Sequence, residues 1–134
     1  YTPPPPPPPA TSSLPINFET VQSPINGFGG SVFTIVDNPD ASGINTSSKV
    51  GRYVKGTDGN WAGLETTLDA KLNFSTNNVI RYKVYSPVTG RALFKIENSA
   101  NRDEFVEVFA DITQVNQWQT LSFDFTGAAA DTYN

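Results

Sequence analysis

Short runs in which every second residue is apolar recur along the body of this chain, and nothing comparable repeats at helical spacing. The runs cover residues 16–19, 32–37, 50–55, 63–68, 79–86, 92–98, 105–111 and 118–125. Between them stand residues that turns demand. Gly27-Phe28-Gly29-Gly30, Asp37-Asn38-Pro39-Asp40, Asp58-Gly59-Asn60 and Ser86-Pro87-Val88-Thr89-Gly90 supply positive-φ or proline-fixed positions. Seven or eight short strands in so short a body predict an all-β fold, an antiparallel β-sandwich of jelly-roll type.

The alternation also assigns faces. In residues 79–86, Ile80, Tyr82 and Val84 share one side and Arg81, Lys83 and Tyr85 the other, so the first set is the expected core face. In the next run Ala92, Phe94 and Ile96 alternate with Leu93, Lys95 and Glu97, and the two runs are expected to pair as a hairpin across residues 87–90. Leu121, Phe123 and Phe125 form the apolar side of the last clear strand.

Seven consecutive prolines, Pro3 to Pro9, precede the first run. A proline run has no backbone donors and a nearly fixed φ, so it forms a stiff polyproline II rod of roughly 3.1 Å per residue. Residues 1–13 read as a proline-rich linker, and residues 14–134 as the folded module. A disordered tail, or a ligand for a proline-recognising domain, gives the same composition. Linkers of this kind join modules, so the chain is expected to be one piece of a larger protein. A chain that opens at Tyr1 without an initiator methionine is also expected to be processed or excised, with its targeting information elsewhere.

Composition narrows the chemistry further. Cysteine and histidine are both absent, which removes Ser-His and Cys-His nucleophile systems, imidazole metal sites and the usual neutral-pH general base. A formal charge of −4 argues against nucleic acid and anionic membranes as partners, since both require a basic face. No run approaches the roughly 18 apolar residues of a membrane helix. An enzyme would have to rely on carboxylates, tyrosine or lysine. Glu65, Glu97, Glu104 and Glu107 show no spacing that singles out an acid–base pair, so the chain reads as non-catalytic.

The order of segments is more specific than the composition. Leu14-Pro15-Ile16-Asn17-Phe18-Glu19 is followed by the stretch from Val36-Asp37-Asn38-Pro39-Asp40 to Ser48-Lys49-Val50. Then come Asn60-Trp61-Ala62-Gly63, Lys83-Val84-Tyr85-Ser86-Pro87, Lys95-Ile96-Glu97-Asn98 and Gln117-Trp118-Gln119-Thr120-Leu121-Ser122-Phe123-Asp124-Phe125. Over residues 14–131 this resembles the non-catalytic carbohydrate-binding modules, with galactose-binding-like β-sandwich folds, of modular polysaccharide-degrading enzymes and surface glycan-binding proteins of marine bacteria. The resemblance implies an extracellular or cell-surface module that binds a polysaccharide. It also implies a further apolar strand and an acidic final strand after Tyr133, so the module is expected to lack its C-terminal strand. An edge opened in that way could be covered by another subunit.

Sugar binding needs an aromatic platform for the C–H face of a pyranose and a few fixed polar groups. Trp61 is the first candidate, because its turn-rich surroundings offer no alternating core position; capping one end of the sandwich is the competing role. Trp118 opens a strand and resembles the family's structural tryptophan. Tyr85, Arg81, Lys83, Lys95 and Glu97, continued by Glu107, are expected to line one face of two adjacent strands, either as a binding surface or as a solvated face with cross-strand ion pairs. Arg52 and Tyr53 are similar, weaker candidates. The resemblance further implies a structural calcium ion held by a glutamate at the end of the first strand. Glu19 matches that position, and Asp37, Asn38 and Asp40 offer further oxygens.

A second role is compatible with the same fold. The chain could serve as a structural or adhesion module of an extracellular or virion-surface assembly, with the proline rod and the open sheet edge as intersubunit contacts.

Overall fold

The computed structural model describes residues 2–5, 12–20 and 24–134. Residues 2–5 are exposed and have no regular structure, while Pro6 to Pro9 of the proline run lie outside the described residues. The chain is all-β, with no helix among the described residues. Its eight strands are β1 (Asn26–Phe28), β2 (Val32–Asp37), β3 (Lys49–Val54), β4 (Gly63–Glu65), β5 (Val79–Tyr85), β6 (Gly90–Asn98), β7 (Asn101–Ile112) and β8 (Trp118–Asp124). They form four strand pairs, β1–β4, β2–β3, β5–β8 and β6–β7. The chain divides into two compact units, Tyr1–Val36 with Lys49–Asp69, and Asp37–Ser48 with Ala70–Asn134.

In the first unit β1 and β4 pair antiparallel, with Phe28 opposite Gly63. Glycine is needed there because a Cβ at residue 63 would come within 2.9 Å of the Phe28 ring. The strand expected over residues 16–19 is not one. The chain bends from Phe18 to Thr20, and Phe18 takes a φ of 62°, a left-handed conformation that ends any extended run. The Phe18 ring instead lies 5.6 Å from that of Phe33 on β2. Four residues of alternation were too few to outweigh this contact.

The second unit contains the main apolar core. Phe74, Ile96, Leu121, Phe123, Phe125 and Tyr133 are buried together, and Ile80, Val84, Phe94, Val106 and Val108 pack against them. β5 and β8 pair antiparallel from Val79 opposite Asp124 to Tyr85 opposite Trp118. β6 and β7 pair from Gly90 opposite Ile112, with the register shifting at Glu97 and Asn98 beside their connecting turn. The two pairs meet through aromatic rings, Phe94 lying 5.1 Å from Phe123 and 6.2 Å from Tyr82. The hairpin expected between β5 and β6 across residues 87–90 does not form. That connection carries the chain from one strand pair to the other, so that the apolar side of β6 meets those of β5 and β8 across the core instead of continuing the same sheet.

Residues 131–134 are tied back to this unit. The amide of Leu72 donates to Tyr133 O at 2.7 Å, that of Asp131 to Leu72 O at 3.0 Å and that of Asn134 to Glu97 O at 3.1 Å. Just after β8, Asp124 Oδ1 accepts the Thr126 hydroxyl at 2.5 Å and the Thr126 amide at 2.9 Å. Those bonds, the hydroxyl first, hold the Asp124 carboxyl below its ordinary value of 3.8. A depressed carboxylate stabilises the fold above its unfolded-state pKa and loses that contribution as pH falls through the folded one. NMR titration of Asp124 is therefore expected to give a midpoint below 3.8 that returns toward that value in Thr126→Val. An unchanged midpoint in the variant would show that these hydrogen bonds are not the cause.

Candidate functional site

Four residues build the turn that carries Trp61. The amide of Ala62 donates to Gly59 O at 3.1 Å, closing a turn with Asn60 and Trp61 at its two central positions. The turn is then tied to the end of β3 and the residue after it. Lys55 Nζ donates to Ala62 O at 2.6 Å and to Asn60 O at 3.2 Å, and Tyr53 Oη donates to Ala62 O at 3.2 Å. The polar ends of Tyr53 and Lys55 are thus used in holding the turn.

The indole that projects from this turn is 62 % exposed. It is nevertheless fixed in place. The Phe28 ring lies parallel to it, with 1° between planes and 6.5 Å between centroids. Its two ends rest against glycine backbone: a Cβ at Gly59 would come within 2.2 Å of the indole Nε1, and one at Gly29 within 2.8 Å of Cζ3. Gly29 also has a φ of +65°, so both the space and the backbone angle favour glycine there. On this turn and just before it, the Asn60 and Asp58 side chains make no hydrogen bond to the protein among the described residues. The result is a held, solvent-facing aromatic surface with a free carboxylate and a free amide on the segment that bears it.

The other expected site residues do not come together. Arg81 and Tyr85 lie on β5, on the side away from Ile80 and Val84, whereas Lys95 and Glu97 lie on β6, on the side away from Phe94 and Ile96. Since β5–β8 and β6–β7 share the core between them, these two sets point in opposite directions. A single face joining Arg81, Lys83 and Tyr85 to Lys95, Glu97 and Glu107 is therefore corrected, and the cause is the missing β5–β6 hairpin. Tyr85 is half-buried with the Trp118 ring 5.5 Å away, edge to face. Lys95 and Glu97 form an ion pair at 3.1 Å, which Arg102 joins at 3.5 Å, and Glu107 stands opposite Lys95 in register. Arg52 is exposed on β3.

Trp118, for which its likeness to the family's structural tryptophan implies a core position, is half-buried and stands outside the buried core cluster. Its Nε1 donates to Asp40 O at 2.8 Å, anchoring the loop of residues 37–48. That loop is laced internally by Asn38, whose Nδ2 donates to Asn45 O at 3.1 Å and Ser47 O at 2.8 Å. The carboxylates suggested for calcium are employed locally. Glu19 Oε1 accepts the Lys49 amide at 2.7 Å, and Asp40 Oδ1 accepts the Ser42 hydroxyl. Asp37 ends β2. Among the described residues no three His, Cys, Asp or Glu side chains are gathered as a metal site, and calcium forms no part of the function proposed below.

Phe28 was not singled out by sequence reasoning, because it sits among glycines that signal a turn. The signal available was the glycine content of both facing segments, since Gly29 and Gly59 border the Trp61 ring and Gly63 the Phe28 ring. No protein-family model, curated protein or solved structure matches this chain.

Proposed function

We propose that this chain is a non-catalytic polysaccharide-binding module, of jelly-roll β-sandwich type, from a larger extracellular or cell-surface protein, and that Trp61 is the floor of its sugar site. The observation that carries this reading is the exposed indole held parallel to Phe28. Leaving a large ring in water is costly unless a ligand covers it, and fixing its orientation in advance lowers the entropy lost on binding. The axial C–H groups of a pyranose suit such a surface, while Asp58 and Asn60 offer hydrogen bonds to hydroxyls. With neither histidine nor cysteine in the chain, binding is favoured over bond cleavage.

Affinity electrophoresis through gels loaded with algal and bacterial glycans tests the proposal. Retardation by at least one glycan, abolished in Trp61→Ala, is the expected result. Equal mobility in every gel, or retardation that survives the substitution, would remove Trp61 from the site. The alternative, a structural or adhesion module of a multi-subunit assembly, draws its support from another part of the molecule, the exposed face of β6 and β7.

A further inference from the structure

The outward side of the β6–β7 pair plays no part in the sugar site. Along β6 it presents Arg91, Leu93, Lys95 and Glu97, and opposite them in register stand Asp111, Phe109, Glu107 and Phe105 on β7. Leu93, Phe105 and Phe109 are each 48 % exposed. Cations lie over the two phenyl rings, the Arg91 guanidinium carbon 4.0 Å from the Phe109 centroid and Lys95 Nζ 4.4 Å from that of Phe105. Lys95 is paired with Glu97, but among the described residues no ion pair engages Arg91, Glu107 or Asp111. The face thus has an apolar middle, its cations on one strand, and two unpaired carboxylates on the other.

We propose that this face is a contact for a second copy of the chain, related by a two-fold axis parallel to the strands. The charge layout selects both the partner and the axis. Turning a copy over about an axis along the strands lays β6 of one chain on β7 of the other at the same height. Arg91 then faces Asp111 of the second copy, Lys95 faces Glu107, and Leu93 meets Phe109, each contact occurring twice by symmetry. An axis across the strands would instead lay β6 on β6, setting cation against cation and carboxylate against carboxylate. The surface covered is small, roughly 30 by 10 Å per copy from strand spacing and rise. That is below the roughly 1,200 Å² of total buried area at which stable interfaces begin, so the association is weak and depends on concentration and salt.

Sedimentation equilibrium of the full chain at low ionic strength provides the test, with melting curves to confirm that each variant is folded. The parent is expected to self-associate reversibly to a dimer. Arg91→Asp and Asp111→Arg should each weaken the dimer by about tenfold, since each turns two attractions into repulsions. An equimolar mixture of the two variants should recover association, because each then carries the charge the other needs. Phe109→Ser should weaken the dimer with all charges intact. A parent that stays monomeric at millimolar concentration overturns the proposal, as does a dimer indifferent to both charge reversals. If Arg91→Asp strengthens association, the axis runs across the strands and the proposed geometry fails. If Phe109→Ser leaves self-association unchanged but lowers affinity for a glycan, the face is a sugar surface instead.

Discussion

Phe123→Ala should lower the unfolding free energy by about 3–5 kcal/mol, the range for truncating a buried aromatic side chain. Phe123 is 0 % exposed, and its ring touches Tyr82 at 5.2 Å and Phe94 at 5.1 Å between centroids. Both neighbours lie on other strands, so the cavity would open where the two strand pairs of the second unit meet. Against a typical total stability of about 5–15 kcal/mol, such a loss brings the fold close to its threshold. The melting midpoint should fall by roughly 10–20 °C at this chain length. Urea or thermal denaturation measures it. A change below about 1 kcal/mol would mean that the core collapses around the missing ring, and that Phe123 is not its keystone.

Trp61→Ala is expected to do the reverse, leaving the melting midpoint nearly unchanged and removing most of the glycan affinity. The indole is largely outside the core, so its truncation should cost well under the buried-aromatic range. Affinity should fall at least about 30-fold, the consequence of losing about 2 kcal/mol at an aromatic anchor. Gly59→Ala gives an independent check, because the ring remains but the added methyl would stand within 2.2 Å of Nε1 and force it off its seat. Weaker binding with a red-shifted or broadened indole emission is expected, and Trp118→Phe provides a background in which Trp61 is the only reporter. Full affinity in Gly59→Ala would show that the orientation of the ring is unimportant. A large loss of stability in Trp61→Ala would make it a packing residue.

Much of this architecture was legible in the sequence, for reasons that differ from strand to strand. The run 32–37 coincides with β2 because Gly30 and Ser31 precede it and Asn38-Pro39 follow it, so turn chemistry marks both ends. The inward alternation of Leu121 and Phe123 was equally plain, since period-2 burial is a local property of a strand. Partner choice is not local. Four residues between β5 and β6 suit a hairpin, yet β5 takes β8 as its partner and β6 takes β7, a choice that nothing within either run records. Arg81 and Lys95 were placed on one face by that error alone, as each is outward on its own strand. Trp61 was legible through the lack of a core position near it, whereas its parallel partner Phe28 is brought close by pairing between residues more than thirty positions apart.

The nesting of the β6–β7 hairpin inside the β5–β8 pair also sets an order of assembly. β6 and β7 are joined by the two residues Ser99 and Ala100, so their pairing closes a minimal loop and can start within microseconds of collapse. β5 and β8 must wait for the whole intervening hairpin, and the loop-closure entropy of that longer span is repaid only once Leu121 and Phe123 reach the core. The arrival of β8 is thus expected to be the slower event, which stopped-flow refolding of Leu121→Ala would test. Until then the apolar side of the hairpin, including Phe94 and Ile96, faces water, so a nascent or refolding chain is most exposed to misassociation on the surface that later becomes its interior.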